Sequence, residues 1–430
     1  HYHQQGKLLN SRNDAIEFNV FDFQSGEEIT KARDSLLSIY GNRYKQSIIY
    51  DIHAVSSKAI IDQIDLAFEV WKEMPWAGHV TFEQFCEYIL PHRAYREPLE
   101  HWRPGLYRKY SWLCDSAEKI GDDPVMACTM VNNELRSWLK FDWDRGTKTL
   151  HDQGISEIMA NKHGKCVDLV TMAACAMRSQ GIPVAIDLVP YWGHRAFGHT
   201  WNVVLDKNGK CIPFGGAEKN PGHHDAILEY TKVGKIFRHR YAAQPDNLPA
   251  TINTTADLPP LFYRVNLEDV THEYVPVGDV HLNNLEIKPE DKAVYICLYN
   301  GGQWRPVHLA LPDGRRAVFG SMDKNNVLYL PARFRNGTVV PVGDPFMFTK
   351  SGTVRHFPMA DQYHDALLLT HSNKMFDETL RDGSVREYPI KPDYRYKLAY
   401  WDREWIYLDS QTARTSGLEY RHVPKGTLYK

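Results

Sequence analysis

Three features of this 430-residue chain predict an α+β protein built from more than one domain. Apolar residues recur with helical spacing from about 27 to 140. Helix and strand patterns alternate over roughly 151–250, and short aromatic-rich strands separated by Gly, Asn and Asp turns fill the remainder. A chain of this length exceeds one typical hydrophobic core. The expected division is a helical amino-terminal segment (1–150), an α/β core (151–255), a β-sandwich domain (256–360) and a second small β-domain (361–430).

Taken in order, the opening HYH reads as a frayed terminus rather than a metal-binding stub. The chain starts at His1, which fits a removed signal peptide as well as a trimmed boundary. Segment 57–73, SKAIIDQIDLAFEVWKE, places Ile60, Ile61, Ile64, Phe68 and Trp71 on one stripe, the pattern of a helix with one buried face. Segment 81–90, TFEQFCEYIL, opens with a capping box, Thr81 and Gln84, and is stopped by Pro91. A further helix starts at Asp123-Pro124, proline standing at the tolerated first position, and runs to about Leu139.

The middle supplies a short helix at 155–161 and a longer one from Cys166 to Gln180, closed by Gly181. Pro183–Val189 then reads as a strand. His199–Leu205 and Lys210–Phe214 read as two strands joined by the turn DKNG. After the linker TINTTADLPP (251–260), runs such as VYICLYN, VLYLPARF and YKLAYWDREWIYLDS predict β-structure throughout.

Composition narrows the function classes. The chain is 43% hydrophobic with a formal net charge of −2 and no long basic run, which argues against a nucleic-acid partner. No apolar stretch reaches the ~18 residues that span a bilayer. Seven cysteines at wide spacings form no CxxC pair, so most are expected to pack as small apolar residues, and an odd count leaves at least one free thiol.

Cys166 is the thiol of interest. It follows Gly164-Lys165 at the predicted mouth of a helix, where unpaired N–H groups and partial positive charge favour a thiolate. A nucleophilic cysteine needs a base, and His199, opening a strand in GHTWNVV, is the candidate imidazole. Trp192, His194 and Arg195 in YWGHRAFGH (191–199) are expected near the cleft; His194 is a rival base, and His163 a further imidazole close in sequence. The imidazoles of His194, His199, His223 and His224, with Asp225, match no metal-ligand spacing, and GGQWRP lacks the end of a phosphate loop. No cofactor is expected. Trp304, Trp401 and Trp405 read as sandwich core rather than a glycan platform.

The stretch GKCVDLVTMAACAMRSQGIPVAIDLVP…GHTWNVVLDKNGK resembles the core of the transglutaminase-like superfamily over about 155–215. More loosely, FCEYILPHRAYREPLEHWR (85–103), ahead of that core, together with the β-rich remainder resembles multidomain transglutaminase-like proteins of the bacterial cell envelope. The resemblance implies a papain/transglutaminase-like α/β core with a helical segment before it and β-sandwich domains after it. It implies Cys166 as nucleophile and His199 as general base. It implies an extracytoplasmic protein, secreted or held at a membrane surface through a removed or lipidated amino terminus. Such families place an aspartate about fifteen residues beyond the histidine. Here that place falls at Phe214 or Gly215, neither of which can orient an imidazole through its side chain. Glu218 is the nearest downstream carboxylate, with Asp206 and Asp225 as poorer candidates.

The expected catalytic residues are therefore Cys166, His199 and Glu218, and the expected substrate-binding residues Trp192, His194 and Trp201. An oxyanion hole would use the Cys166 N–H and one further donor that the sequence does not locate. The expected activity is a thiol acyl transferase or a cysteine peptidase/amidase acting on peptide or protein amides. The alternative is a catalytically inactive envelope protein that binds peptide or glycan.

Overall fold

The computed structural model describes residues 2–41, 44–223, 231–244, 258–357, 360–371 and 388–430. Helices concentrate in the first half and strands in the second, giving the α+β class expected from the sequence. The chain divides into two compact units. The first comprises 1–188, 200–225 and 238–242; the second comprises 189–199, 226–237 and 243–430.

In the first unit the amino-terminal stretch is not frayed. Strand β1 (Tyr2–Leu9) pairs antiparallel with β2 (Tyr44–Tyr50), on either side of helix α1 (Gly26–Tyr40). Strand β2 interrupts a region that the periodicity reads as helical throughout. Its partner lies more than thirty residues upstream, and no local pattern encodes that pairing.

Helix α2 spans Ser57–Glu73 as expected, but its face is rotated. Gln63, Ala67 and Val70 are buried, whereas Ile61 is exposed. Gln63 is tolerated inside because its Nε2 donates to the Glu100 carbonyl (3.2 Å). Helix α3 (Phe82–Tyr88) carries the predicted capping box. Helix α4 (Pro124–Trp138) starts on an Asp123 side-chain cap.

Helix α5 (Ile155–Asn161) precedes α6 (Cys166–Arg178), the central helix, whose residues are almost all buried. Gly181, three residues past the last helical residue Arg178, takes a positive φ of 71°, and a Cβ there would meet the Val70 carbonyl at 2.8 Å. Strands β3 (Val184–Val189), β4 (His199–Leu205), β5 (Cys211–Phe214) and β6 (Phe237–His239) follow; within this unit their order is β6–β3–β4–β5. The β4–β5 hairpin forms as expected, with Asn202 opposite Phe214 and Leu205 opposite Cys211. Asp206 closes its turn by accepting from the Asn208 and Lys210 N–H groups.

Three buried charged side chains of this unit are held by partners. Asp187 on β3 and Arg238 on β6 form a bidentate pair (2.9 Å twice) with both side chains inside. Arg178, at the end of α6, donates to the Tyr88 and Val184 carbonyls and to the Tyr241 hydroxyl.

The second unit is built on strands. β7 (Val277–Leu282) pairs with β10 (Ala317–Asp323). A larger sheet orders β9 (Gln303–Ala310), β8 (Val294–Asn300), β11 (Val327–Arg335), β13 (Phe346–Phe348) and β14 (Val354–His356), with β12 (Thr338–Pro341) also on β11. Val280, Ile296, Leu298, Phe319 and Tyr329 form one core. Trp401, on β15 (Arg395–Asp402), joins Tyr295, Leu309 and Leu330 in another; Trp304 and Trp405 pack against that second core. The three tryptophans are thus core-associated. The linker expected at 251–260 lies largely outside the described residues.

Candidate active site

Cys166 is the first residue of α6, as the sequence predicts. The helix entry is fixed by Asp168, whose Oδ2 accepts from the Lys165 N–H (2.9 Å). Gly164 is required here: a Cβ would stand 2.5 Å from the Asp168 Cβ. Lys165 reaches outward to Asp152, its Nζ 3.2 Å from Oδ1.

The sulfur keeps partial solvent access, yet the surrounding atoms are dense enough to desolvate its anion. Burial therefore pushes the thiol up. The Thr200 hydroxyl and backbone pull it the other way, and the Asp168 carboxylate adds to the rise. The helix mouth expected to favour a thiolate does not outweigh desolvation in this resting state. Asp168 is itself lifted by burial, to about 6, against the pull of Lys165.

Thr200 is the second residue of β4. Its hydroxyl is buried and forms no well-aligned hydrogen bond, although it stands near enough to the sulfur to favour the charged form. Alternate residues of a strand share a face, and Asn202, two residues on, donates its Nδ2 to the Val170 carbonyl of α6 (3.0 Å). The Asn202 Oδ1 is buried without a partner among the described residues, and a Cβ on Gly216 would approach it to 2.5 Å. Trp201 is fully buried, so it offers packing to the interior and no indole surface to a substrate in this conformation.

His199 begins β4 and belongs to the second unit with the loop before it. Its ring stacks on Trp192, centroids 6.3 Å apart at 26°. Trp192 is buried, meets the His194 ring edge-on at 5.3 Å and carries the Arg195 guanidinium 4.4 Å above its face. This loop is held from within its own unit. The Asn300 Nδ2, with two hydrogens, lies 2.9, 2.8 and 2.9 Å from the carbonyls of Trp192, Arg195 and Phe197. Gly193 donates to the Lys232 carbonyl (2.7 Å). A Cβ on Gly198 would strike the carbonyl oxygens of Val189 and Pro190 at 2.3 and 2.4 Å. Nothing in the local sequence points to Asn300, because the contact spans more than a hundred residues.

The rival imidazoles have structural roles. The His194 Nδ1 accepts from the Lys232 N–H (3.4 Å), and burial followed by Arg195 drops its pKa to about 4. His163 donates through Nδ1 to the Asn161 carbonyl (3.0 Å) and stacks on Phe21. His223 sits in the turn after β5, with Nδ1 3.2 Å from the Pro221 carbonyl; His224 and Asp225 lie outside the described residues.

Glu218 occupies an exposed position on the turn that pairs Gly215 with Lys219, with its carboxyl raised by the neighbouring bulk. That turn is clamped by Asn132 of α4. Asn132 Nδ2 donates to the carbonyls of Gly215 (3.3 Å) and Lys219 (3.0 Å), and its Oδ1 accepts from the Ala217 N–H (2.8 Å). Asp206 is consumed by the DKNG turn.

Residues 116–215 match the transglutaminase-like superfamily, a segment that contains both Cys166 and His199. This part of the chain is a transglutaminase-like domain. No curated protein matches the chain. Among solved structures, one "of a Putative Cysteine Protease from Cytophaga hutchinsonii" is 12% identical, with a TM-score of 0.24, over 31% of this chain and 41% of that one. Red sea bream transglutaminase is 9% identical, with a TM-score of 0.23, over 88% of this chain and 71% of that one. The chain thus spans under half the length of the first.

Proposed function

We propose that the transglutaminase-like domain is a cysteine-dependent acyl transferase or amidase acting on peptide or protein amides. The observation that carries the reading is the superfamily match over 116–215, with Cys166 at the head of a buried helix and His199 at the head of a strand. In the first step the Cys166 sulfur bonds to the amide carbon, the C–N bond breaks, and the thiol proton passes through His199 to the leaving amine. In the second, water or another amine attacks the thioester carbon, the C–S bond breaks, and the proton removed from the attacking group returns the sulfur to its starting state. The Cys166 N–H, free at the first turn of α6, is one donor for the oxyanion. Hydrolysis is favoured over cross-linking, and Trp192 is assigned a supporting role behind the His199 ring it stacks on.

A desolvated resting thiol sets a requirement: substrate or His199 must bring the sulfur to its anionic form. Phe214 or Gly215 stands where a carboxylate would orient the base, and Glu218 is assigned that task on proximity in sequence. These two features favour a second reading, a peptide- or glycan-binding protein on an enzyme scaffold. Incubation with glutamine- and asparagine-containing peptides separates the two. The enzyme reading predicts release of ammonia or amine that Cys166→Ser abolishes; binding without release supports the scaffold reading. The protein is further proposed to work outside the cytoplasm, which fractionation of the native host would test.

A further inference from the structure

The segment FCEYILPHRAYREPLEHWR contains six charged residues, and five are committed to holding the fold. Glu87 accepts from the Tyr241 and Ala242 N–H groups (2.8 and 3.0 Å). Arg93 grips Asp51 with both terminal nitrogens (2.8 and 2.6 Å). Glu97 accepts from the N–H groups of Ala94 (2.6 Å) and Tyr95 (2.9 Å), and Glu100 accepts from Ser156 N and Oγ at the start of α5. Arg103, fully buried, donates to the carbonyls of Arg178, Ile89, Leu90 and Pro91.

Arg96 is the exception. Its Nε lies 3.4 Å from Asp152 Oδ2, its guanidinium covers the Tyr95 ring at 5.2 Å, and its terminal nitrogens donate no hydrogen bond to a described residue. The side chain is 55% exposed although it is anchored on two sides. Its anchor is shared: the same Asp152 holds the Nζ of Lys165, the residue before Cys166. Two cations therefore divide one carboxylate beside the thiol, and the thiol's charge is felt at Arg96. A guanidinium whose Nε faces Asp152 in a half-exposed side chain leaves its Nη1–Nη2 fork unengaged by any described residue, and such a fork takes a carboxylate bidentately.

We propose that Arg96 is a specificity-determining residue that binds a carboxylate of the substrate, so that the preferred substrates are acidic peptides with a free carboxylate close to the amide that Cys166 attacks. The carboxylate completes the coordination that Asp152 leaves open, and Lys165 supplies further positive charge on the same side. The inference rests on the reading of Cys166 as the nucleophile.

The test uses the full chain carrying Cys166→Ala, with acetylated, amidated tetrapeptides bearing glutamate at each position in turn and matched glutamine peptides as controls. Binding is read by titration calorimetry. At least one glutamate peptide is expected to bind about tenfold tighter than its glutamine match. Arg96→Gln should remove that preference, and Arg96→Lys, which keeps the charge and loses the fork, should retain only part of it. Unaltered melting of the Arg96 variants would establish that they fold. A preference that survives Arg96→Gln, or no preference at any position, overturns the proposal. The readout needs no turnover, so failure of the acyl-transfer reading would appear separately, as absent amine release by the unmutated chain.

Discussion

At Cys166 two effects oppose each other. The head of α6 and the Thr200 hydroxyl favour the anion, and desolvation favours the thiol; desolvation prevails. Thr200→Val tests this balance because it removes the hydroxyl at nearly constant volume. The thiol should rise further, and alkylation by iodoacetamide at neutral pH should slow about threefold, since the thiolate fraction sets the rate. Unfolding should move the opposite way. The Thr200 hydroxyl is buried without a good partner, so valine should leave stability unchanged or raise it by ~1 kcal/mol in urea titrations. Faster alkylation in Thr200→Val would contradict the assignment. The position of Cys166 was legible in the sequence, because Gly164 and a following small-residue helix signal a helix start. The direction of its pKa was not, since that depends on what packs over it.

Among elements, the loop 190–198 leads into the His199 end of β4, and the Asn300 side chain is one of its fastenings. Asn300→Ala would leave the carbonyls of Trp192, Arg195 and Phe197 without their shared donor, at a cost of roughly 2 kcal/mol. Gly198→Ala should be at least as damaging, because the atoms its Cβ would meet are backbone carbonyls that cannot swing aside. Chemical denaturation followed by tryptophan fluorescence checks both; an Asn300→Ala protein as stable as the parent would show the clamp to be idle. Helices α2, α5 and α6 and the β4–β5 hairpin were readable because capping residues, proline, glycine and period are local signals. The α2 face was misjudged because its neighbours come from elsewhere in the chain, among them Glu100, whose carbonyl takes the Gln63 amide. Strands β1 and β2 were missed because pairing across more than thirty residues leaves no local mark. Asn132, Asn300 and Arg96 escaped for the same reason: each is an ordinary polar residue until its distant partners are known.

For the whole molecule, pH offers a view of how the second unit holds its interior. His194 is kept neutral with a pKa of about 4, below the ordinary 6.5, and burial also lowers His308. A depressed histidine means that the unfolded chain takes up protons first as pH falls. Stability contributed by the neutral form is therefore full above about 6.5 and is lost progressively down to about 4. For His194 the loss amounts to about 3 kcal/mol. His194→Gln, which can still accept from the Lys232 N–H, should flatten the acid limb of the stability profile between those pH values. A profile unchanged by the substitution would remove His194 as a cause. The α+β class and the order of helical, mixed and β-rich regions could be read from periodicity alone. That residues 189–199 belong with the β-rich unit could not, because their partners, Lys232 and Asn300, come later in the chain.

The account as a whole depends on Cys166 forming a bond to substrate carbon. The direct measurement is intact-mass spectrometry of the protein quenched in acid after mixing with an activated acyl ester of a short acidic peptide, followed by site mapping. The predicted result is one acyl group, on Cys166, formed more slowly in His199→Ala and absent in Cys166→Ala, with buried Cys128, Cys175 and Cys297 unmodified. Acylation spread over several cysteines, or a Cys166 adduct that forms equally fast without His199, would contradict it.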